Sequence, residues 1–203
     1  MPVLMPCEPG SPRRIDPAWD RERQVLLGLG GTVLLLDHDR LQAGDAEGAL
    51  ARTALPAFGT LAWRGWMVRP DSYALLEAAL HARGLRLLTD AQAYARTHLL
   101  PGTLEALRPW SVPAVLLPAG RPGAGALHAA LAGFGTRALV VKDWVKSQAD
   151  LWDEACFIPR ADDAGHALAV IARFLDLQGP DLQGGVVLRE WRPLVQRAGR
   201  AVE

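Results

Sequence analysis

Short apolar runs of strand length recur along the chain, each parted from the next by a stretch with helical periodicity. Residues 32–36, 85–88, 114–117, 138–142 and 186–191 are runs of this kind. Residues 16–29 read as a helix with Asp16-Pro17 at its start and Gly30-Gly31 at its stop. Pro70-Asp71 opens a second helix, with Tyr73, Leu76 and Leu80 on one face and Gly84 after it. Helical segments also cover 91–99 and 126–132. A last helix follows Asp162-Asp163, carries Leu168, Ile171, Ala172 and Leu175 as its stripe, and ends at Gly179-Pro180. Strands this short and this apolar must be covered on both faces, and the intervening helices supply the cover, so the pattern specifies an α/β fold. No run approaches the ~18 apolar residues of a membrane span.

Within that pattern, the proline-rich stretch 101–113 separates two rounds of alternation and marks a domain boundary near residue 112. The region 45–58 carries weak signals, and residues 61–67 read as a short aromatic-rich strand and turn. The opening residues 1–9 are broken by Pro2, Pro6 and Pro9 and lack the basic start of a secretory signal. The 22 basic and 22 acidic residues balance, which removes the basic excess of a generic nucleic-acid binder. Cys7 and Cys156 are isolated in sequence, as expected of a reduced, cytoplasmic protein.

Most familiar catalytic constellations are missing. His38, His81, His98, His128 and His166 show no ligand spacing, and none of the serines sits in G-x-S-x-G. Cys156, in a run read as an apolar strand, is expected to be an inert buried thiol. The glycines at 28–31 follow a helix and precede a strand, the reverse of a dinucleotide loop. Those at 120, 123 and 125 precede a helix but lack the lysine of a phosphate-binding loop and read as a linker.

Lysine is the informative residue. Of the 22 basic residues 20 are arginine, and the two lysines, Lys142 and Lys146, fall four apart in VVKDWVKS, residues 140–147. Compact ammonium groups suit phosphate oxygens where a planar guanidinium does not; the alternative is a pair of exposed cations at a strand end. With Arg189 and Glu190 on the last strand they form the one charged group on β-elements of the second half. Strand neighbours point to opposite faces, so Arg189 and Glu190 cannot both enter one pocket.

The segments VVKDWVKS (140–147), WDEACFI (152–158), RFLDLQ (173–178) and GGVVLREW (184–191) resemble an ATP-grasp protein of the clade named for one arginine and two lysines. Upstream, PRRID (12–16), RGWM (64–67), Tyr73, GLRLL (84–88), Tyr94 and HLLP (98–101) resemble that clade's N-terminal domain, while residues 33–60 match least.

The resemblance implies a Rossmann-like pre-ATP-grasp domain over 1–112 and an ATP-grasp small lobe over 113–203. It also implies an ATP- and magnesium-dependent carboxylate-amine ligase working through an acyl phosphate. By position, Lys142 and Lys146 would contact ATP phosphates and Arg189 would be the clade's arginine. Glu190 and Trp191 would lie at the hinge beside the adenine, and Arg64 would bind the acceptor carboxylate. After Trp191 only residues 192–203 remain, with Glu203 the sole acidic side chain, so the metal-binding second lobe is expected to be missing. The expected partners are ATP, a carboxylate, an amine, and a complementary C-terminal lobe or a second copy of the chain; nucleic acid and membrane are not expected. The alternative function is a non-catalytic nucleotide- or partner-binding module derived from such an enzyme.

Overall fold

The computed structural model describes residues 1–193, 196–197 and 200–201. The chain divides into two compact units, Met1–His98 and Leu99–Glu203, so the division falls just ahead of the proline-rich stretch.

The first unit runs β1 (Val3–Glu8), β2 (Ser11–Ile15), α1 (Asp20–Gly28), β3 (Val33–Leu36), α2 (His38–Gln42), α3 (Ala46–Leu50), β4 (Gly59–Trp63), α4 (Pro70–His81), β5 (Leu85–Leu87) and α5 (Ala91–His98). Strands β3, β1, β4 and β5 lie parallel in that order, and β2 turns back antiparallel along β1. The chain leaves β1 for β3 on one side and then crosses to β4 on the other, a topological switch point of the Rossmann-like kind.

Strand β1, the centre of this sheet, lies in the segment that its prolines had disguised. Pro6 is tolerated because it falls between Leu4, the last β1 residue paired to β4, and Cys7, the first paired to β2. Its carbonyl still accepts from Asp16 N at 3.1 Å. The core gathers Leu4, Leu36, Leu41, Leu61, Tyr73, Leu76, Leu80 and Leu85, each at most 1% exposed. Tyr73 and Tyr94 stack face to face with centroids 3.9 Å apart.

The second unit runs α6 (Leu100–Leu107), β6 (Ala114–Ala119), α7 (Ala124–Ala132), β7 (Leu139–Lys142), α8 (Trp152–Ala155), β8 (Phe157–Ile158), α9 (Ala164–Gln178), β9 (Gly185–Glu190) and the backbone pair β10 (Gln196–Arg197) and β11 (Arg200–Ala201). Its main sheet is antiparallel in the order β6-β9-β7-β8. Pro101 lies in the first turn of α6, where its missing N–H costs nothing. Cys156 sits between α8 and β8 rather than within a strand, fully buried, and burial pushes its thiol pKa up.

Helix α9 starts on Asp163, whose carboxylate accepts from His166 N at 3.1 Å. Its buried face is Ala167, Val170, Ile171, Phe174, Leu175 and Gln178, whereas Ala172 is exposed and Leu168 only half-buried. Against that face pack Leu139 and Val141 of β7, Ile158 of β8, and Val186 and Leu188 of β9, all with no exposure. Among the described residues no helix is long and apolar enough to cross a membrane.

Candidate functional site

Period-two alternation sets the site. Leu139 and Val141 point into the core of the second unit, so Val140 and Lys142 occupy the other face of the sheet. Directly opposed residues of an antiparallel pair share a face, and the register sets Val140 against Arg189, and Lys142 against Val187. Lys142 and Arg189 are therefore diagonal neighbours on the face turned away from α9. Phe157, opposite Val140 on β8, lies on that face too. Phe157 stacks on Trp152 with centroids 5.2 Å apart and meets Trp191 edge-on at 5.3 Å. Cations and an aromatic strip thus share one sheet face.

Lys142 is half-buried, and its Nζ donates to Val145 O at 3.1 Å. Burial lowers its pKa; Asp143 acts in the opposite sense, and Arg189 adds to the lowering. Arg189 donates through Nη2 to Ser111 Oγ at 3.0 Å. Lys146 is exposed at the loop that follows β7. Among the described residues none of the three is in an ion pair, and the carboxylate that acts on Lys142 through space is that of Asp143. The structure brings Lys142 and Arg189 onto one face, and Lys146 follows in the loop after β7, its backbone held by Asp143.

Glu190 takes the opposite face, across from Leu139, and is 9% exposed. Its carboxylate accepts from Arg192 Nε at 2.6 Å and Arg137 Nη1 at 3.2 Å. The Arg192 hydrogen bond, reinforced by Arg137, holds its pKa below the ordinary carboxylate value. The backbone N–H of Glu190 donates to Pro113 O and that of Trp191 to Ala138 O, both at 2.8 Å. Both N–H groups are therefore used within the second unit.

Arg64 lies in the first unit just past the C-terminal end of β4, at the switch point. Its Nε donates to Glu22 Oε1 at 2.7 Å, and its guanidinium lies 4.8 Å from the centroid of the Trp19 ring. A pocket of about 230 Å³ opens beside it, lined in part by Trp63, Trp66, Tyr94 and Thr97.

Asp143, which the sequence did not single out, is the best-buried charged group of the site. Its carboxylate has no exposure and accepts from Val145 N at 2.7 Å, Lys146 N at 2.6 Å and Gln183 N at 3.2 Å. With its lone pairs so engaged it is poorly placed to serve as a metal ligand. Among the described residues no three His, Cys, Asp or Glu side chains come together to hold a metal ion, so the magnesium implied by the resemblance finds no ligand set there. Glu203 lies outside the described residues.

Residues 132–203 match the model of an ATP-grasp domain family, the third family of the clade named for one arginine and two lysines. No curated protein sequence matches the chain. Among solved structures, the RimK domain protein ATP-grasp from Sphaerobacter thermophilus superposes with a TM-score of 0.57 at 16% identity, covering 96% of this chain and 65% of that one. The D-cycloserine synthetase DcsG gives 0.54 at 19% identity, with 98% and 62% covered. N5-carboxyaminoimidazole synthetase from Staphylococcus aureus, complexed with ADP, gives 0.53 at 10%, with 95% and 47% covered. The chain has the ATP-grasp fold, carries the pattern of that arginine-and-lysine clade over 132–203, and spans less than two thirds of each of these structures.

Proposed function

We propose that the chain is the nucleotide-handling part of an ATP-grasp carboxylate-amine ligase, with ATP phosphates held at the end of β7. The observation that carries this reading is the pair Lys142 and Arg189 on one sheet face, with Lys146 in the adjoining loop, all three without ion-pair partners among the described residues. An anion is what such a cluster lacks, and partial burial strengthens its pull on one. The strip Trp152, Phe157 and Trp191 supplies apolar surface for a base on the same face.

In the proposed reaction a carboxylate oxygen of the acceptor attacks the γ-phosphorus and ADP leaves. An amine then attacks the acyl phosphate carbon and phosphate leaves. Lys142 and Lys146 hold phosphate oxygens, and Arg189, oriented by Ser111, faces the charge that develops on the transferring group. Glu190 and Trp191 flank the adenine, Glu190 through its carbonyl, while its carboxylate holds Arg137 and Arg192 in place. Arg64 retains its Nη groups for an acceptor carboxylate beside the 230 Å³ pocket. None of these roles depends on a metal ligand from this chain.

Calorimetric titration with ATP tests the site. Removing a charge-assisted phosphate contact is worth about 1.5–3 kcal/mol, so Lys142→Ala and Lys146→Ala should each weaken ATP binding by roughly tenfold or more. Unchanged affinity in both variants refutes the assignment. ATP binding with neither phosphoryl transfer nor ligation would assign the chain to the binding-module alternative.

A further inference from the structure

The loop after β7 is built around a carboxylate rather than around the lysines it presents. Asp143 N donates to Lys146 O at 2.9 Å, while Asp143 Oδ1 accepts from Val145 N and Lys146 N. Residues 143–146 are thereby closed into a tight turn from inside. The other oxygen, Oδ2, reaches the approach to β9 at Gln183 N. Trp144 N donates to Gln183 O at 3.2 Å, so the same two segments are joined a second time through the backbone. Lys142 closes the unit by donating to Val145 O, the carbonyl of a residue whose N–H Asp143 holds.

We propose that Asp143 is a positioning residue for phosphate binding: its buried carboxylate fixes the backbone of residues 145 and 146 and so sets the approach of the Lys142 and Lys146 ammonium groups. This inference rests on the assignment of those lysines to phosphate. Asp143 touches no phosphate itself. Two of its three N–H donors lie in its own turn and the third at the approach to β9, so the fully buried carboxylate ties the lysine-bearing turn to the neighbouring strand as well as closing it. Its negative charge also offsets the mutual repulsion of Lys142 and Arg189 without occupying the face where an anion would sit.

The test compares ATP and adenosine binding to the wild-type chain, Asp143→Asn, Asp143→Ser, Asp143→Ala and the Lys142→Ala, Lys146→Ala double variant, each checked for folding by circular dichroism. Asparagine keeps an oxygen for the Val145 and Lys146 N–H groups and should bind ATP within about threefold of wild type; serine should be intermediate. Alanine should lose roughly tenfold or more in ATP affinity while adenosine affinity stays within twofold, a phosphate-specific loss that general loosening of the fold would not produce. Wild-type ATP affinity in Asp143→Ala, with the lysine double variant weakened, overturns the positioning role and leaves the lysine assignment standing. Unaltered ATP affinity in the double variant overturns both. If the alanine variant does not fold, the other two decide: equal losses in Asp143→Asn and Asp143→Ser overturn the inference.

Discussion

The junction between the β7 loop and β9 offers the sharpest quantitative check on this structure. Gly184 has φ +73°, and a Cβ there would overlap Trp144 Cδ2 and Cε3 and lie 2.7 Å from Cγ. Ordinary carbon contacts fall near 3.5–4.0 Å, so an alanine must displace the indole by well over an ångström. The ring cannot swing away with its backbone, because Trp144 N donates to Gln183 O and Trp144 O accepts from Leu100 N at 2.9 Å. A left-handed conformation costs a non-glycine residue about 1–2 kcal/mol, and overpacking adds about 1–3 kcal/mol. Gly184→Ala should therefore destabilise the chain by about 2–5 kcal/mol in urea unfolding. A double-mutant cycle separates the two parts. In the Trp144→Ala background the clash disappears, and Gly184→Ala should cost only the ~1–2 kcal/mol of backbone strain. A single-variant loss below ~0.5 kcal/mol, or strict additivity in the cycle, would refute the account.

Two further outcomes are expected. Tyr94 Oη accepts from Val68 N at 3.0 Å and donates to Val68 O at 2.8 Å; Tyr94→Phe strands both backbone groups of a residue that is 1% exposed and should cost about 1–3 kcal/mol of the first unit's stability, read by denaturant titration, with no change in ATP affinity. Burial holds the Lys142 pKa below its ordinary 10.5, so between the folded and unfolded values the unfolded chain binds more protons and stability rises with pH. The stability of wild type relative to Lys142→Met should consequently climb as pH rises towards 10.5 while ATP affinity falls; a flat difference across that interval would remove the buried-ammonium premise.

What could be read from the chain alone follows from which signals are local. Alternation over 138–142 and 186–191 fixes β7 and β9, and with them the opposite orientation of Arg189 and Glu190, because a two-residue period needs no tertiary information. Strand β1 escaped because Pro2, Pro6 and Pro9 argue against a central strand unless the neighbours on either side of Pro6 are known. Helix α6 escaped because Pro101, read as a breaker, is a first-turn residue. On α9 the stripe read from 168, 171, 172 and 175 is slightly out of phase: Phe174 and Val170 face the core, and Ala172, small enough for either side, faces outward. Asp143 left a faint trace, an aspartate two and three residues ahead of the N–H groups it holds, but the Gln183 N–H that completes its role lies 40 residues away.

Asp143 also stands close to like charges: Arg189 adds to the lowering of the Lys142 pKa and Asp143 opposes it. Lys142 and Arg189, diagonal neighbours on one sheet face, repel each other, and a carboxylate paired directly to the ammonium would cancel the charge there. Here the nearest acid sits beneath the turn with its oxygens given to backbone N–H groups, so it lowers the local potential while the ammonium groups stay unpaired. The turn keeps the Asp143 oxygens on backbone N–H groups, and the missing Cβ at Gly184 leaves room for the Trp144 ring beside it. Closing such a turn is ordinary work for an aspartate; Asp143 differs in that its second oxygen also reaches Gln183 N, so one buried carboxylate holds the lysine-bearing turn and the approach to β9.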